Sequence, residues 1–468
     1  MVELSNYKHI HCIGIGGIGL SALAEILLER GFKVTGSDMK ESDITDRLIE
    51  KGAHIFLGHR EKNVEGADLI VYSAAVSQEN PEMLRAAELR IPAITRANLL
   101  GIIMSDYKKS IAISGTHGKT TTTSMISLIL DKAQVDPTIL VGGHLAKFDG
   151  NVRVGKSDYF VTEACEYVDS FLSLRPKIEI ILNIDSDHLD YFKDIDHIVN
   201  SFRKFASLVG PEGKIIAFEA NPFVSTVIRG LPNVITFGFN ENCTYYVSDI
   251  TFNSVGMPQF YVNHKGQRLC TIQLVIPGEH NILNALAAVA CCHSLGIDID
   301  DIVNTLEEYT GTQRRFDVIG VTSENIQIVD DYAHHPTEIR ATLSAAQNLP
   351  HRNLWCLFQP HTYTRTVALF DEFAEALSGA DKIILAEIYA AREKNVYNIS
   401  SKDLMMEIKK RYPEKDVYYF KDFDEIGSFV VNNAESNDLV ITMGAGDIYK
   451  VAEIILDHDD QKRKRLRR

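Results

Sequence analysis

The residues that could do the most specific chemistry lie between Ile111 and Thr123, in the segment IAISGTHGKTTTT. An apolar run leads into a glycine turn, and Lys119 and several hydroxyl side chains follow at the start of a predicted helix. Backbone N–H groups of such a turn point at phosphate oxygens, and the helix dipole favours the same anion. Lys119 can reach the β- and γ-phosphates of ATP, and Thr120 can bind Mg²⁺. The predicted ATP-binding residues are Gly115, Thr116, His117, Gly118, Lys119, Thr120 and Thr121.

This loop departs from the general phosphate-loop pattern at one position. Ile113 stands five residues before Gly118, where most such loops have glycine. The loop is therefore shorter than usual. An ordinary strand-to-helix turn is the alternative, but it does not require this succession of Gly, His, Lys and Thr.

A second glycine-rich turn, GIGGIG, follows the first strand-like run of the chain. It contains Gly14, Gly16, Gly17 and Gly19, and Asp38 ends the next strand-like run. This spacing fits a dinucleotide fingerprint, in which the glycines admit a diphosphate and the acidic residue binds a ribose hydroxyl. The pattern predicts a diphosphate ligand and leaves the nucleotide open. Taken alone, it favours an NAD-dependent dehydrogenase.

Carboxylate and imidazole side chains follow two predicted strands, 158–162 and 179–184. The carboxyl ends of parallel strands meet at one edge of a sheet, where the phosphate loop also lies. Such ligands beside ATP indicate one or two Mg²⁺ ions. The side chains are those of Glu163, Glu166, Asn183, Asp185, Asp187 and His188.

Two later regions carry polar residues suited to a nucleotide. Asn281 and Asn284 lie one helical turn apart and can present amides to adenine or phosphate, although a helix cap at Asn281 fits equally well. The third region places Arg, Asp and His in loops before helices, which suits a domain that closes over a nucleotide and a second substrate. Its segments are RRF at 314–316, DDYAHHP at 330–336 and QPHTYTR at 359–365.

Composition limits the class of protein. The chain has 468 residues, 45% of them hydrophobic, which is enough for about three domains. Its net charge of −15 argues against a general nucleic-acid binder. No run approaches the roughly 18 apolar residues of a membrane span, and the cysteines lack metal-ligand spacing, so we expect a soluble, cytoplasmic protein with reduced thiols. The basic segment 462–468 is expected to be a solvated, disordered end.

Strand and helix patterns alternate along the chain and predict an α/β fold of three domains. Residues 1–106 predict an N-terminal Rossmann-like parallel sheet. Residues 107–312 predict a central P-loop ATPase-type sheet with an antiparallel extension around 245–276. Residues 313–468 predict a C-terminal Rossmann-like sheet. Ligands are expected in the clefts between these domains.

In this order, the motifs closely resemble the Mur ligases of peptidoglycan synthesis, from one end of the chain to the other. GIGGIGLSALA and DDYAHHP are similar to the branch of the family that adds L-alanine. The segments that carry the resemblance are GIGGIG, SGTHGKTTTT, EACE, Asp187-His188, GEHNILN, RRF, DDYAHHP and QPHTYTRT.

The resemblance implies an ATP-dependent ligase that joins L-alanine to the lactyl carboxylate of UDP-N-acetylmuramate through an acyl phosphate. It implies ATP and Mg²⁺ as cofactors, small-molecule substrates, no nucleic-acid or membrane partner, and a monomer or homodimer in the cytoplasm. It also implies that the first domain holds UDP instead of NAD. The residues implied there are Gly14, Gly16, Gly17, Gly19, Asp38, His59, Ser73 and Arg96.

The resemblance assigns roles in the other two domains as well. Lys119, His188 and Arg315 would be catalytic, and Thr120, Glu163 and His188 would hold Mg²⁺. The further ATP contacts would be Asn281, Asn284, Arg315 and Asp331. The contacts to the incoming alanine would be His335, His361 and Arg365.

Three positions qualify the resemblance. Cys165 replaces an acidic residue of the usual EADESD pattern, so we expect thiol alkylation to block activity and Mg·ATP to protect. Thr362 replaces an arginine that many relatives carry, which changes how substrate carboxylates are held. Some sister ligases use a carbamylated lysine, for which Lys204 is the nearest candidate, but a solvated helix residue is the simpler interpretation.

Three other functions fit part of the sequence. A ligase that recycles a whole murein tripeptide onto the same sugar nucleotide shares most of these motifs. A nicotinamide-dependent dehydrogenase explains the first domain and leaves the phosphate loop unexplained. A non-catalytic nucleotide sensor would explain binding without turnover.

Overall fold

The computed structural model describes residues 3–466 of the chain. Over that range, the strands form three sheets of five, ten and six strands with helices packed against them. The predicted three-domain α/β fold is confirmed. The domain limits at 106 and 312 stay a prediction.

The N-terminal domain alternates strands and helices. Its elements are β1 (His9–Ile13), α1 (Ile18–Glu29), β2 (Lys33–Asp38), α2 (Asp43–Glu50), β3 (His54–Leu57), β4 (Leu69–Tyr72), α3 (Pro81–Glu88), β5 (Ala93–Thr95) and α4 (Arg96–Ser105). The strands are parallel, in the order β3-β2-β1-β4-β5. All of β1 is buried, as expected for a parallel sheet covered on both faces. The sequence pattern does not predict β3, because its residues are exposed or half-buried.

The central domain has the longest sheet. Its elements are β6 (Lys109–Ser114), α5 (Lys119–Lys132), β7 (Thr138–Leu145), β8 (Gly150–Arg153), β9 (Tyr159–Glu163), β10 (Ile178–Ile181), α6 (Ile195–Ala206), β11 (Lys214–Phe218), α7 (Pro222–Ile228), β12 (Val234–Gly238), β13 (Tyr245–Phe252), β14 (Pro258–His264), β15 (Gln267–Gln273), α8 (Glu279–Ser294) and α9 (Ile299–Glu308). The strand order is β15-β14-β13-β12-β11-β10-β6-β9-β7-β8.

The edges of the central sheet are antiparallel. Strands β13 to β15 form the predicted antiparallel extension. Strands β7 and β8 form a second antiparallel pair at the opposite edge, which the sequence pattern does not predict. Gly142 and Gly143 interrupt the apolar pattern of β7.

The C-terminal domain has a six-stranded sheet. Its elements are β16 (Asp317–Val321), β17 (Gln327–Asp331), α10 (Pro336–Gln347), β18 (Leu354–Phe358), α11 (Tyr363–Ala368), α12 (Phe370–Leu377), β19 (Lys382–Leu385), α13 (Ser401–Arg411), β20 (Asp416–Tyr419), α14 (Phe423–Asn433), β21 (Leu439–Met443) and α15 (Lys450–Leu466). The order is β16-β17-β21-β18-β19-β20, and β16 is antiparallel to its neighbour.

The prediction of a disordered basic end is wrong for residues up to Leu466. Helix α15 continues through them, because its preceding turns pack an apolar face on the C-terminal sheet. Residues 467 and 468 lie outside the described residues. Within residues 3–466, no helix has the length and apolar character needed to cross a membrane.

One buried apolar cluster spans two domains, whereas the C-terminal domain has apolar clusters of its own. One buried cluster contains Leu23 and Leu100 of the N-terminal domain together with Leu140 and Phe171 of the central domain. The two clusters of the C-terminal domain draw their buried members from residues 326–455. The first two domains therefore share a core, and the third domain has its own.

Candidate active site

The phosphate loop has the predicted strand–turn–helix geometry. Ile113 is buried inside β6, so the turn begins at Gly115 and ends at Gly118, the N-cap of α5. Gly115 has φ +132° and Gly118 has φ +84°, conformations that favour glycine. A Cβ on Gly118 would lie 2.5 Å from Oδ1 of Asn284. Glycine therefore permits both the turn and the close approach of α8.

Lys119 is held over this loop. Its Nζ donates to the carbonyl oxygen of Thr116 at 3.1 Å and to the Glu166 carboxylate at 3.0 Å. Burial opposes its charge, but the negative charge of Glu166 raises the pKa of Lys119 above its usual value. The side chain is therefore a cation at the mouth of the anion-binding turn.

The three predicted metal ligands belong to different segments: Thr120 lies on α5, Glu163 ends β9 and His188 follows β10. Glu163 accepts a hydrogen bond from the backbone N–H of Gly142 at 2.7 Å. Thr120 is buried on the first turn of α5. Nε2 of His188 lies 3.9 Å from the Glu166 carboxylate. Glu166, which the sequence analysis names with Glu163, follows β9, contacts Lys119 and lies 3.9 Å from His188.

A cavity of about 410 Å³ lies beside the loop, between the central and C-terminal domains. Its wall includes both predicted asparagines on α8. Nδ2 of Asn281 donates to the carbonyl of Pro277 at 2.7 Å, and Nδ2 of Asn284 donates to Oδ1 of Asn281 at 3.1 Å. The alternative of a helix cap at Asn281 is wrong, since the N-cap of α8 is Gly278. Lining residues from the sequence predictions are His117, Gly118, Thr121, Asn281, Asn284, Arg315 and Asp331.

Arg315 and Asp331 bring the C-terminal domain into this cavity. The Arg315 guanidinium lies 5.1 Å from the centre of the Tyr332 ring. Asp331 accepts hydrogen bonds from the backbone N–H groups of Phe316 and Ala333, at 2.8 and 2.7 Å. Burial raises the pKa of Asp331 to about 6, although the charge of Arg315 opposes this shift. Arg315 therefore adds positive charge to the cavity wall, near a carboxyl group whose pKa is raised.

A second contact between these domains surrounds a cavity of about 400 Å³. Nη2 of Arg365 donates to Oδ1 of Asp187 at 2.9 Å, and Nη1 lies 3.2 Å from Nδ1 of His361. Burial and the charge of Arg365 lower the pKa of His361 to about 4. His188 lines the same cavity, whereas His335 lies beside it with Nε2 at 3.0 Å from the carbonyl oxygen of Ser186.

The N-terminal glycine turn is tied to the end of β2. The N–H of Gly14, which has φ +79°, donates to the carbonyl of Ser37 at 2.8 Å. The N–H of Gly16 donates to Oδ2 of Asp38 at 2.9 Å. Gly17 is the N-cap of α1. The turn and the acidic residue are therefore adjacent, as the fingerprint predicts.

The other predicted residues of this domain lie around the same turn. The Cβ of Ser73 would be 3.6 Å from a Cβ placed on Gly14. A Cβ on Gly19 would lie 3.2 Å from the Arg96 side chain, which crosses the start of α1. Nδ1 of His59 lies 2.9 Å from Oγ of Ser37, the residue immediately before Asp38.

Sequence reasoning missed the residue beneath this turn. Glu82, on α3, is fully buried and accepts a hydrogen bond from Oγ of Ser37 at 2.6 Å, and its carboxylate also lies 3.3 Å from His59. Burial opposes the charge of Glu82, but the nearby His11 ring, whose Nε2 lies 3.7 Å away, and the hydrogen bonds from Ser37 and Asn63 hold its pKa below the usual value. No local motif marks Glu82, since only the fold brings α3 to β2.

A third cavity, of about 320 Å³, joins the N-terminal and central domains. Gly19 and Arg96 line it from one domain, and Glu163 and Cys165 line it from the other. Burial and the charge of Glu166 raise the pKa of the Cys165 thiol. Lys204 is exposed on α6, as expected of a solvated helix residue.

Comparison with known families covers almost the whole chain. The Mur ligase family catalytic domain matches residues 9–108, the Mur ligase middle domain matches residues 113–292, and the Mur ligase glutamate ligase domain matches residues 314–446.

Comparison with individual proteins agrees. The chain is 53% identical to a UDP-N-acetylmuramate--L-alanine ligase of Caldanaerobacter subterraneus subsp. tengcongensis, over 98% of this chain and 99% of the relative. It is 50% identical to the enzyme of that name from Acetivibrio thermocellus, over 97% of each chain. The crystal structure of UDP-N-acetylmuramate-alanine ligase MurC from Thermotoga maritima has a TM-score of 0.81 at 30% identity, covering 97% of this chain and 100% of that one. The chain belongs to the Mur ligase family.

Proposed function

We propose that this protein is an ATP-dependent ligase that joins L-alanine to the lactyl carboxylate of UDP-N-acetylmuramate. The observation that carries the proposal is the agreement, at 53% identity over 98% of the chain, with a relative of that name. The product is the first peptide-bearing precursor of peptidoglycan, and we place the reaction in the cytoplasm, where ATP and the sugar nucleotide are made. A monomer or a homodimer is compatible with this role.

We assign one substrate to each of the three cavities. ATP fits the 410 Å³ cavity, with its phosphates on the loop that ends in Lys119. The UDP group fits the turn at Gly14 to Gly19, from which the 320 Å³ cavity leads towards Glu163. Alanine fits the 400 Å³ cavity, where the Arg365 guanidinium suits its carboxylate.

The reaction proceeds in two transfers. An oxygen of the lactyl carboxylate attacks the γ-phosphorus, the bond to the β,γ-bridging oxygen breaks, and ADP leaves. The deprotonated nitrogen of alanine then attacks the acyl carbon, and inorganic phosphate leaves the tetrahedral intermediate. Lys119 makes the first step possible because two anions must approach each other in a cleft with little water.

The donor set beside the loop fits Mg²⁺. The hydroxyl of Thr120, the carboxylate of Glu163 and the imidazole of His188 would hold it, and Glu166 lies within reach of the same region. The bound ion would neutralise charge on the phosphates during transfer. Lys119 and Arg315 supply further positive charge from the two sides of the cleft.

His361 is the histidine best placed to handle the proton of alanine. Burial and the charge of Arg365 lower its pKa to about 4, so the ring is uncharged near neutral pH and does not repel the incoming ammonium group. Its lone pair, on Nδ1, accepts from Nη1 of Arg365 and would become available to the alanine proton when Arg365 turns to the alanine carboxylate. His188 is the other candidate, but ligation of Mg²⁺ would occupy it. His335, the N-cap of α10, would line the path by which alanine enters.

The alternatives have less support. The crystal structure of a murein peptide ligase of Psychrobacter arcticus has a TM-score of 0.70 at 24% identity, covering 97% of this chain and 98% of that chain. This likeness shows a shared fold and does not favour a tripeptide substrate for this chain. A dehydrogenase would leave the phosphate loop without a role. A sensor would not need histidine and arginine at the 400 Å³ cavity.

The test is phosphate release with ATP and UDP-N-acetylmuramate, in the presence of L-alanine, glycine, L-serine or the tripeptide L-Ala-γ-D-Glu-diaminopimelate. Release that requires L-alanine and fails with the tripeptide supports the proposal. Release only with the tripeptide identifies a recycling ligase. Absence of release with every acceptor, together with hydride transfer from NAD(P)H, would identify a dehydrogenase.

A further inference from the structure

His117, at the centre of the phosphate loop, lies between two carboxylates from different domains. Its Nε2 is 3.2 Å from Oδ2 of Asp185, which follows β10 in the central domain. Its Nδ1 is 3.2 Å from Oε1 of Glu338, on α10 of the C-terminal domain. A carboxylate accepts hydrogen bonds only, so both ring nitrogens must carry protons for both contacts to form. The geometry therefore requires an imidazolium.

Both carboxylates are fixed by other contacts. Oε2 of Glu338 accepts from the backbone N–H groups of His334 and His335, at 3.0 and 3.3 Å, which leaves Oε1 for His117. Oδ2 of Asp185 also accepts from Oγ1 of Thr337 at 2.6 Å. Neither carboxylate is therefore free to turn away.

The other ionisable groups near His117 are few and identifiable. The His335 ring centre lies 5.0 Å from that of His117, Nδ1 of His334 lies 3.2 Å from Oε2 of Glu338, and the charge of Arg315, in the C-terminal domain, also acts on Glu338. Burial disfavours the His117 cation, but its hydrogen bonds to Asp185 and Glu338 raise the pKa of His117 to about 9. The two hydrogen bonds and the raised pKa both indicate that the His117 ring is charged near pH 7.

We propose that His117 is a positioning residue that couples the phosphate loop to the C-terminal domain. As an imidazolium between Asp185 and Glu338, it holds that domain closed while its own backbone N–H donates to Oδ1 of Asn183 at 2.8 Å and keeps the loop in its anion-binding shape. The backbone contact to Asn183 does not depend on the ring, so the bridge itself fixes the C-terminal domain, which carries the alanine site, against a loop that keeps its shape. The inference rests on the proposed ligase function for its kinetic readout.

The experiment compares His117→Asn, Glu338→Gln and the double variant. Each single change removes one charge of the bridge, so we expect kcat to fall and KM for L-alanine to rise. Together these changes should lower kcat/KM for L-alanine on the order of tenfold. The dissociation constant of ATP, measured by calorimetry, should change much less. Because the two residues act through one contact, the double variant should be no worse than the worse single variant. Glu407→Gln, on α13 and away from the cleft, is the matched control and should match the wild type.

Additive losses in the double variant would overturn the proposal, as would a loss of ATP affinity as large as the loss of kcat. Small-angle X-ray scattering gives a readout independent of catalysis. With saturating ATP, we expect the single variants to have a larger radius of gyration than the wild type; an equal radius contradicts the bridge. If the wild type itself shows no alanine-dependent release, the proposed function fails while the scattering comparison still decides the bridge.

Discussion

The two junctions of the central domain are built from different interactions. The junction with the N-terminal domain contains a shared apolar core that includes Leu100 and Phe171. Among the described residues its polar contacts include no ion pair: Nδ2 of Asn98 donates to Oγ of Ser173 at 3.2 Å, and the Arg47 guanidinium donates to the carbonyl oxygen of Asp149 at 2.6 Å. A Cβ on Gly101 would lie 2.1 Å from the carbonyl oxygen of Ser173, so the two backbones touch. This junction is a packed interior.

The junction with the C-terminal domain contains ion pairs, and we call it the ionic junction, although Gly256 also packs closely against the backbone of Asn348. Arg365 pairs with Asp187, and His117 pairs with Glu338 across the cleft. The apolar clusters of the C-terminal domain stay within that domain. Apolar packing is insensitive to charge, whereas ion pairs respond to phosphate, salt and pH. The comparison therefore indicates a fixed platform of two domains and a third domain whose position depends on charge.

The largest effect should follow removal of the central cation. Lys119→Ala should lower alanine-dependent phosphate release by at least about 10²- to 10³-fold, because no other lysine or arginine of the loop itself faces the phosphates. Steady-state assays measure this, with circular dichroism as a check on folding. Lys132→Ala, at the far end of the same helix, is the control and should retain full activity. Substantial turnover by Lys119→Ala would remove the loop from the mechanism.

The packed junction can be tested by Gly101→Ala. The added methyl overlaps the backbone of Ser173, which should cost about 1–3 kcal/mol of unfolding free energy and outweigh the gain in helix propensity of about 1 kcal/mol. Urea unfolding at low and high salt should show the same loss. Gly238→Ala, whose Cβ would make only ordinary contacts from 3.4 Å, is the control. A loss that varies strongly with salt would show that this junction is not apolar.

The ionic junction should depend on pH. The pKa of His117 is raised from 6.5 to about 9, so its contribution is complete below pH 6.5 and disappears as the pH rises through 9. The pKa of Glu338 is held well below 4.5 by His334 and His117 despite burial, so its contribution is present above pH 4.5 and is lost as the pH falls. The difference in urea midpoint between wild type and His117→Asn should therefore shrink above pH 9. A constant difference would mean that the ring is neutral.

The smallest effect of a substitution on activity is expected at Cys165, in the packed junction. Its raised pKa predicts slow alkylation at neutral pH, and Cys165→Ser should keep activity within about threefold. Alkylation, once complete, should block activity because Cys165 shares a cavity with Glu163. Mg·ATP should slow the reaction, as measured by mass spectrometry. An unchanged rate would place the thiol away from the metal ligands.

Local patterns predicted the elements that carry their own signal. The strands Leu69–Tyr72, Leu354–Phe358 and Leu439–Met443 are apolar runs between turn residues, which is the pattern that predicts a buried strand. The phosphate loop was predictable because glycine, lysine and threonine act within a few residues of each other. Strands β3 and β7 were not predictable. The exposed residues of β3 and the glycines of β7 remove the alternation of apolar and polar residues that marks a strand.

The contacts between domains could not be read from the sequence. His117 and Glu338 are 221 residues apart, and Lys119 and Glu166 are 47 apart. The sequence indicated that each of these regions is polar. Which carboxylate meets which cation depends on how β10, α5 and α10 are brought together, and that is set by packing elsewhere in the fold. The assigned site roles themselves stay predictions.

Hydrogen–deuterium exchange of the wild type at about 0.05 M and 0.5 M salt tests the difference between the junctions most directly. At high salt, we predict faster exchange of the amides at 183–188 and 333–338, which face each other across the ionic junction. Amides at 98–104 and 171–174, in the packed junction, should be unchanged. Equal acceleration at both junctions, or none at either, would contradict a C-terminal domain held in place by charge.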